Sequence, residues 1–141
     1  MATGFELLSM RPNLPVRDLG AAVAFYRDVL GFDVAHEDPG AGFALLRGGG
    51  AELALLADES SPPLGAYLYV REVEAAYRRC AEAGARITYE LTVEPWGLRN
   101  FVVEDPSANK IAIGEWVAAG GPGLGSNKAS RSRGRPPLSG A

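Results

Sequence analysis

Residues 94–116 read EPWGLRNFVVEDPSANKIAIGEW. Pro95 and Gly97 interrupt any regular element around Trp96, so the stretch begins as a loop that carries a large aromatic side chain. Residues 99–104 are short and rich in Val and Phe, and residues 105–109 supply turn-forming side chains before a second apolar run. The pattern predicts a loop followed by a β-hairpin.

The order of elements that ends in this hairpin occurs twice along the chain. Apolar spacing predicts helices over residues 21–30 and 72–83, which are ended by Gly31 and Gly84. Val16-Arg17-Asp18 matches Val70-Arg71-Glu72 at an offset of 54 residues. This self-similarity predicts a duplicated βαβββ module. The remaining strands are predicted over residues 11–16, 32–35, 43–47, 51–57, 66–70 and 86–91.

Several short motifs together resemble the vicinal oxygen chelate superfamily, which includes glyoxalases, extradiol dioxygenases and bleomycin-resistance proteins. The Pro-Trp-Gly of residues 95–97 resembles the bleomycin-resistance branch in particular. The resemblance implies an α+β domain over residues 1–119, in which two tandem βαβββ modules, about 10–58 and 64–117, form a curled mixed sheet around a cavity. The other motifs that carry it are LPVRDL at 14–19, Phe25-Tyr26, LGF at 30–32, and Asp105-Pro106 with Asn109.

One position of the terminal hairpin departs from the superfamily, because relatives usually have glycine where Ala108 stands. Alanine is strained at a positive φ angle, whereas asparagine tolerates that conformation better. The sequence therefore predicts that Asn109 takes the positive φ angle of this turn.

The metal-dependent members of the superfamily hold a divalent ion through His and Glu side chains from four strands. By alignment these positions fall here at Arg11, Ala54, Gly65 and Ala112, none of which can ligate a metal through its side chain. The single histidine, His36, is predicted to lie in a loop. We expect no metal, no other cofactor and no catalysis; the alternative is a metal-dependent lyase, isomerase or dioxygenase of the same superfamily.

The resemblance also implies which aromatic residues bind a ligand. Trp96 matches the tryptophan of the Pro-Trp-Gly loop, Phe43 matches an aromatic that clamps planar rings, and Tyr67 matches an aromatic of the fifth strand. For Phe43 and Tyr67 a place in the core is an equally good interpretation, because strand aromatics are ordinarily buried. The expected function is binding of a bleomycin-type antibiotic, which confers resistance, in a groove of a homodimer.

Other side chains are weaker candidates for the same site. Tyr69 shares the face of Tyr67 by the two-residue period of a strand. Glu52 is positioned to meet a ligand cation, although a solvated carboxylate is the commoner outcome, and Arg99 is expected to pair with a neighbouring acid. Trp116, at the end of the last strand, is interpreted as a packing residue.

Composition and charge limit the other possibilities. The chain has 47% hydrophobic and 22% charged residues, which is typical of a soluble globular domain. Its lone cysteine, Cys80, lies in a helical pattern and is predicted to be a packed thiol in a reducing compartment. Because the sequence shows no apolar run long enough to span a membrane and no signal segment at the N-terminus, we expect a cytoplasmic protein.

The net charge of −3 is unevenly distributed. Residues 120–141 are rich in Gly, Ser, Pro and Arg, carry four basic residues and no acidic one, and are predicted to be a disordered basic tail. Residues 1–119 thus hold 10 basic and 17 acidic side chains, a net charge of −7. Such a body attracts cations and repels nucleic acid. Arg133-Gly134-Arg135-Pro136 matches the core of an AT-hook, but a solvated tail is the preferred interpretation.

Overall fold

Two copies of one strand-helix-strand-strand-strand unit build the fold, and the computed structural model describes residues 4–117. The predicted α+β class and the duplicated βαβββ module are confirmed. The predicted tail from residue 120, with its AT-hook match, lies outside the described residues. The first unit contains β1 (Asn13–Val16), α1 (Leu19–Ala24), β2 (Asp33–Asp38), β3 (Phe43–Gly48) and β4 (Ala51–Ala57). The second contains β5 (Gly65–Tyr69), α2 (Val73–Glu82), β6 (Arg86–Val93), β7 (Leu98–Glu104) and β8 (Lys110–Trp116).

Each unit forms its own four-stranded mixed sheet. The strand order is β1-β4-β3-β2 in the first sheet and β5-β8-β7-β6 in the second. The first strand of each unit pairs in parallel with the last, and the other pairs are antiparallel. Because Pro12 and Pro15 lack backbone donors, an edge position suits β1, and it pairs with β4 of the same chain.

Helices cover only one face of each sheet. Helix α1 packs on β3 and β4, and α2 packs on β6, β7 and β8. Alternate residues of every strand point away from these helices, and we call this side the open face. The faces under the helices share one apolar core that joins both units, with Leu46 and Leu55 from the first and Phe101 and Ile113 from the second.

A π-helical turn over Phe25–Val29 continues α1. Its wider winding lets two consecutive aromatic residues, Phe25 and Tyr26, both face the core, where their rings meet edge to face with centroids 5.2 Å apart. The sequence predicted one regular helix over residues 21–30, because a π turn has no signal in apolar spacing. Helix α2 buries Cys80, which confirms the prediction of a packed thiol. Burial raises the pKa of the Cys80 thiol to about 11, so it stays protonated and unreactive.

The carboxylate of Asp105 joins the two units. It accepts a hydrogen bond from the hydroxyl of Tyr26 at 2.7 Å, from the backbone N–H groups of Ser107 and Asn109, and from the Asn109 side-chain amide. Asn109 also donates through Nδ2 to the Pro15 carbonyl at 2.8 Å, and the Ser107 hydroxyl accepts from the Arg17 N–H. Every one of these links to residues 15–26 starts from the turn of the last hairpin.

Two local predictions are wrong. Ala108, and not Asn109, takes the positive φ angle of the hairpin turn, at +69°. The reason is that Asn109 is fully buried and held by its side-chain bonds, so the strain falls on the exposed neighbour. His36 lies on β2 and pairs with Leu45 of β3. The strand was predicted to end at residue 35, but it continues for three more residues, to Asp38.

Replacing Tyr26 by Phe tests the link between the units. The variant leaves the buried Asp105 carboxylate with one hydrogen bond fewer, so we expect the free energy of unfolding to fall by about 2 kcal/mol. Tyr77→Phe is the matched control, because the Tyr77 ring packs on Phe101 and its hydroxyl has no hydrogen bond among residues 4–117. Urea denaturation of both variants measures the difference. Equal stabilities would contradict the assigned role of Asp105.

The same pair has a pH signature. Burial, followed by the adjacent Asp105 carboxylate, raises the pKa of Tyr26 far above its usual value. A group whose pKa is raised by folding contributes stability below its unfolded pKa of about 10, and this contribution is lost as the pH rises above that value. The wild type should therefore lose stability more steeply than Tyr26→Phe above pH 10.

Replacing Ala108 by Gly should stabilise the hairpin. The side chain of Ala108 is exposed, so the variant loses no packing, and it removes the steric cost of a positive φ angle at alanine. Because glycine is more flexible in the unfolded chain, the expected net gain is about 0.5–1 kcal/mol. Thermal unfolding measures it, and an unchanged or lower melting temperature would show that the turn is not strained.

Candidate ligand-binding site

A concavity lies on the open face of the second sheet. It has a volume of about 680 Å³, within the range of small-molecule pockets. Strands β5, β6, β7 and β8 all contribute to its walls. The residues that matter for its shape and chemistry are Gly65, Tyr67, Tyr89, Val102, Lys110 and Ala112.

Small residues at two strand positions make room for this cavity. Gly65 and Ala112 both line it, and both are positions where the resemblance expects metal ligands in metal-dependent relatives. At Gly65 the backbones of β5 and β8 approach so closely that an added Cβ would lie 2.9 Å from the carbonyl oxygen of Lys110. A larger side chain at residue 65 would therefore push the two strands apart.

An aromatic row borders the cavity. The rings of Tyr67 and Tyr69 are 5.0 Å apart between centroids, and Tyr69 is stacked on Trp116 at 6.3 Å with an interplanar angle of 12°. Tyr69 remains 44% exposed, so its ring is available to a partner. Two residues of this row were predicted for the site. Trp116 was interpreted as a packing residue, and the structure places it in the same row.

The Tyr67 hydroxyl reaches across β8 to β7, where it accepts a hydrogen bond from Nδ2 of Asn100 at 2.7 Å. Gly114 lies between them, and a Cβ at this position would overlap the Tyr67 hydroxyl oxygen and lie 3.0 Å from the Cβ of Asn100. Asn100 is only 1% exposed, and its Oδ1 has no hydrogen-bond partner within residues 4–117. The missing side chain of Gly114 is what permits this contact.

A second polar pair lies at the edge of the same face. The Tyr89 hydroxyl, on β6, donates to Oε2 of Glu94 at 2.8 Å, and Glu94 is only 7% exposed. This hydrogen bond raises the pKa of Tyr89. Burial raises the pKa of Tyr67. The hydrogen bond from Asn100 lowers this pKa in part, whereas the neighbouring Tyr69 and Glu94 raise it further. Both phenols are therefore neutral hydrogen-bonding groups at physiological pH.

Phe43 lies on the open face of the first sheet, apart from the aromatic row. Its ring is 6.0 Å from that of His36, and the Arg11 guanidinium lies 5.7 Å from its centroid. Among residues 4–117 no ring contact joins Phe43 to Tyr67 or Tyr69. The structure of one chain thus forms two aromatic groups, one on each sheet.

The remaining predicted residues are engaged elsewhere. Glu52 pairs with Arg47 across β3 and β4, with 2.8 Å between Oε2 and Nε. Arg99 does not face the cavity, because alternation puts it on the helix side of β7, where it pairs with Glu74 of α2.

Trp96 is half-buried in the turn that connects β6 and β7, and it is not among the residues that line the cavity. The turn is closed by the Gly97 N–H, which donates to the Glu94 carbonyl. The Trp96 indole nitrogen is buried and has no hydrogen-bond partner in the described chain.

Sequence reasoning missed four residues of this face: Trp116, Asn100, Tyr89 and Glu94. The period of two on β8, which puts Trp116 on the face of Ala112, was available as a signal for the first. No sequence signal identifies Asn100 or Glu94, because polar residues at such positions are ordinarily exposed. The bulges of β6, at Ile87/Tyr89 and Tyr89/Thr92, also disturb the alternation that would have identified Tyr89.

The described residues contain neither a cluster of metal-ligating side chains nor a membrane-spanning helix. Over residues 4–117 no three His, Cys, Asp or Glu side chains lie together in a way that could hold a metal ion. In the same residues no helix is long and apolar enough to cross a membrane.

Two βαβββ modules with a cavity on the strand face opposite their helices define the architecture of a vicinal oxygen chelate protein. The sequence pattern of the Glyoxalase/Bleomycin resistance protein/Dioxygenase superfamily matches residues 9–113, and the chain belongs to this family.

Individual relatives represent more than one function. A bleomycin resistance protein of Klebsiella pneumoniae is 27% identical over 113 residues, which are 72% of this chain and 87% of the relative. The bleomycin resistance determinant encoded on transposon Tn5 superposes with a TM-score of 0.67 and 25% identity, over 77% of this chain and 98% of its own. The lactoylglutathione lyase of Agrobacterium tumefaciens gives a TM-score of 0.66 and 25% identity, over 77% and 92%.

Gly114→Ala tests the geometry of the cavity. The added methyl group displaces the Tyr67 hydroxyl and breaks its bond to Asn100, so the side-chain amide signals of Asn100 should shift strongly in ¹H–¹⁵N NMR spectra. The overpacking and the loss of the hydrogen bond of buried Asn100 should together lower the free energy of unfolding by about 2 kcal/mol. Gly50→Ala, in the open β3–β4 turn, is the control. Unshifted Asn100 signals in Gly114→Ala would contradict the contact.

Proposed function

We propose that this protein binds and sequesters an aromatic, cationic antibiotic of the bleomycin type, and confers resistance without transforming the drug. The observation that carries the proposal is the row formed by Tyr67, Tyr69 and Trp116 beside a cavity of about 680 Å³. Planar heteroaromatic rings stack on such faces, and each contact contributes about 0.5–1.5 kcal/mol beyond the buried area.

Charge supports the same class of ligand. Residues 1–119 carry a net charge of −7, and such a field concentrates cations near the protein. A buried carboxylate, Glu94, lies at the edge of the face that carries the cavity. The ligand class expected from the charge therefore agrees with the one expected from the aromatic row.

The positions of the metal ligands in the superfamily support binding over catalysis. Here they are occupied by Arg11, Ala54, Gly65 and Ala112, whose side chains do not bind divalent metals. The likeness to bleomycin-resistance proteins supports the choice of drug, and the lyase of similar fold makes an enzymatic activity the alternative.

A homodimer is part of the proposal. In one chain the aromatic row of the second sheet and the Phe43 group of the first sheet do not meet, so each leaves an aromatic surface in solvent. Leu64 and Tyr69, at 50% and 44% exposure, extend this apolar surface at the second sheet. Exposed apolar surface of this kind marks an interface. A second copy that sets Phe43 opposite Tyr69 would close the cavity with rings on both sides.

The test is a titration of the protein with metal-free and copper-loaded bleomycin, followed by tryptophan fluorescence. We expect saturable quenching. Tyr69→Ser should weaken the affinity about tenfold through lost stacking and lost apolar burial, and Trp96→Phe reports whether the loop tryptophan takes part. Val93→Ser is the matched control, since Val93 is exposed but lies on the other side of its sheet.

Three results would contradict the proposal or a part of it. The absence of quenching at high drug concentration would exclude a bleomycin-type ligand, and modification of the drug during incubation would show an enzyme. Sedimentation of the free protein as a monomer at the concentrations used would contradict the dimeric site.

A further inference from the structure

The side chain of Asn100, on the open face of the second sheet, has an acceptor that no described residue pairs with. Asn100 is 1% exposed, and the only hydrogen bond of its side chain within residues 4–117 is the donation to Tyr67. The acceptor Oδ1 is buried and unpaired. A buried acceptor without a donor costs about 1–3 kcal/mol, a penalty that a ligand donor would remove. On the same face of β7, the next residue but one is Val102, which lines the cavity.

Glu94 lacks a cationic partner among the described residues. The residue is 7% exposed, its Oε2 accepts one hydrogen bond from the neutral Tyr89 hydroxyl, and it forms no ion pair with any described residue. A carboxylate on a residue with so little exposure is stabilised by a paired cation, because it has lost part of its hydration. The described part of the chain provides no such cation for Glu94.

The two groups lie at one end of the same face. The Glu94 N–H donates to the Leu98 carbonyl at 2.7 Å, and Leu98 and Asn100 point to the same side of β7. The Glu94 charge also acts on the Tyr67 hydroxyl, which is the group that Asn100 contacts. The Asn100 acceptor and the Glu94 charge therefore lie next to the aromatic row. Tyr67 connects them, because it belongs to the row and also contacts Asn100.

The open face of the second sheet carries the opposite charge at its other end. Lys110 lines the cavity at the start of β8, whereas Asn100 and Glu94 do not line it and lie beyond its Ala112 wall. Gly114, beside Asn100, is four residues from Lys110 along β8, which at about 3.3 Å of rise per residue is about 13 Å. This face is therefore polarised, and a ligand cation is attracted to its Glu94 end.

We propose that Glu94 and Asn100 form a subsite for a protonated nitrogen group, an ammonium or amidinium that is attached to an aromatic ring. The cation compensates Glu94, its N–H donates to Oδ1 of Asn100, and its ring lies on the row of Tyr67, Tyr69 and Trp116. The inference rests on the proposed function, since it names the chemistry that the same cavity recognises.

The experiment compares two fragments of equal shape, benzamidine, which is a cation, and benzamide, which is neutral. Each is titrated into ¹⁵N-labelled full-length protein at constant ionic strength, and the Asn100 side-chain amide signals are followed. Benzamidine should shift these signals and bind about tenfold more tightly than benzamide, as expected for one charge-assisted hydrogen bond.

Variants assign the preference to a residue. Glu94→Gln keeps the shape and one acceptor but removes the charge, so it should abolish the tenfold preference by weakening the binding of benzamidine. Glu82→Gln is the matched control, because it makes the same substitution at an exposed position of α2, on the helix side of the second sheet, and it should leave the preference intact. Equal affinities of the two fragments in the wild type would overturn the inference. So would a preference that survives in Glu94→Gln, or no binding of either fragment up to its solubility limit.

The inference and the proposed function fail separately. Bleomycin quenching without a preference for benzamidine would remove the cation subsite and leave the drug-binding function. A preference that depends on Glu94, without any response to bleomycin, would keep the subsite and show that another aromatic cation is the ligand.

Discussion

The hydrogen bonds of the Asp105 carboxylate are the constraint on which the rest of the structure depends. One buried side chain holds the Ser107 and Asn109 backbone in the last turn and the Tyr26 hydroxyl of the first unit. Charge-assisted bonds of this kind are stronger than neutral ones, and a buried carboxylate must keep them because its hydration is lost. Together with the shared apolar core, this joint fixes the relative placement of the two sheets and the orientation of their open faces.

The helices pack on one side of each sheet, so the other side is free of helices and accessible to a ligand. The strand faces that pack against α1 and α2 form the apolar core. On the open face of the second sheet, small residues at Gly65, Ala112 and Gly114 create space, and long side chains from neighbouring strands reach into it. The same alternation of strand residues therefore produces a stable core and a cavity.

The local chemistry of the site combines a stacking surface with unsatisfied polar groups. Tyr69 and Trp116 present flat, partly exposed rings. Asn100 is buried beside them with an acceptor left unpaired, and Glu94 accepts a hydrogen bond from Tyr89 but forms no ion pair with a described residue. A buried acceptor without a partner lowers the stability of the free protein, because its desolvation is not repaid. This is the pattern expected where a protein gives up some stability in order to bind.

The sequence by itself determined the repeated βαβββ order, the terminal hairpin, and the shared face of Tyr67 and Tyr69, because apolar period, turn residues and strand alternation are local signals. It could not determine the partner of Arg99 or the strain at Ala108, since these depend on residues distant in the chain. The separation of Phe43 from the aromatic row, and the contact of Tyr67 with Asn100 over Gly114, were decided by the tertiary structure. The physical reason is that strand order and the packing of each sheet against its helix fix which side chains are neighbours on the open faces. No local propensity encodes that arrangement.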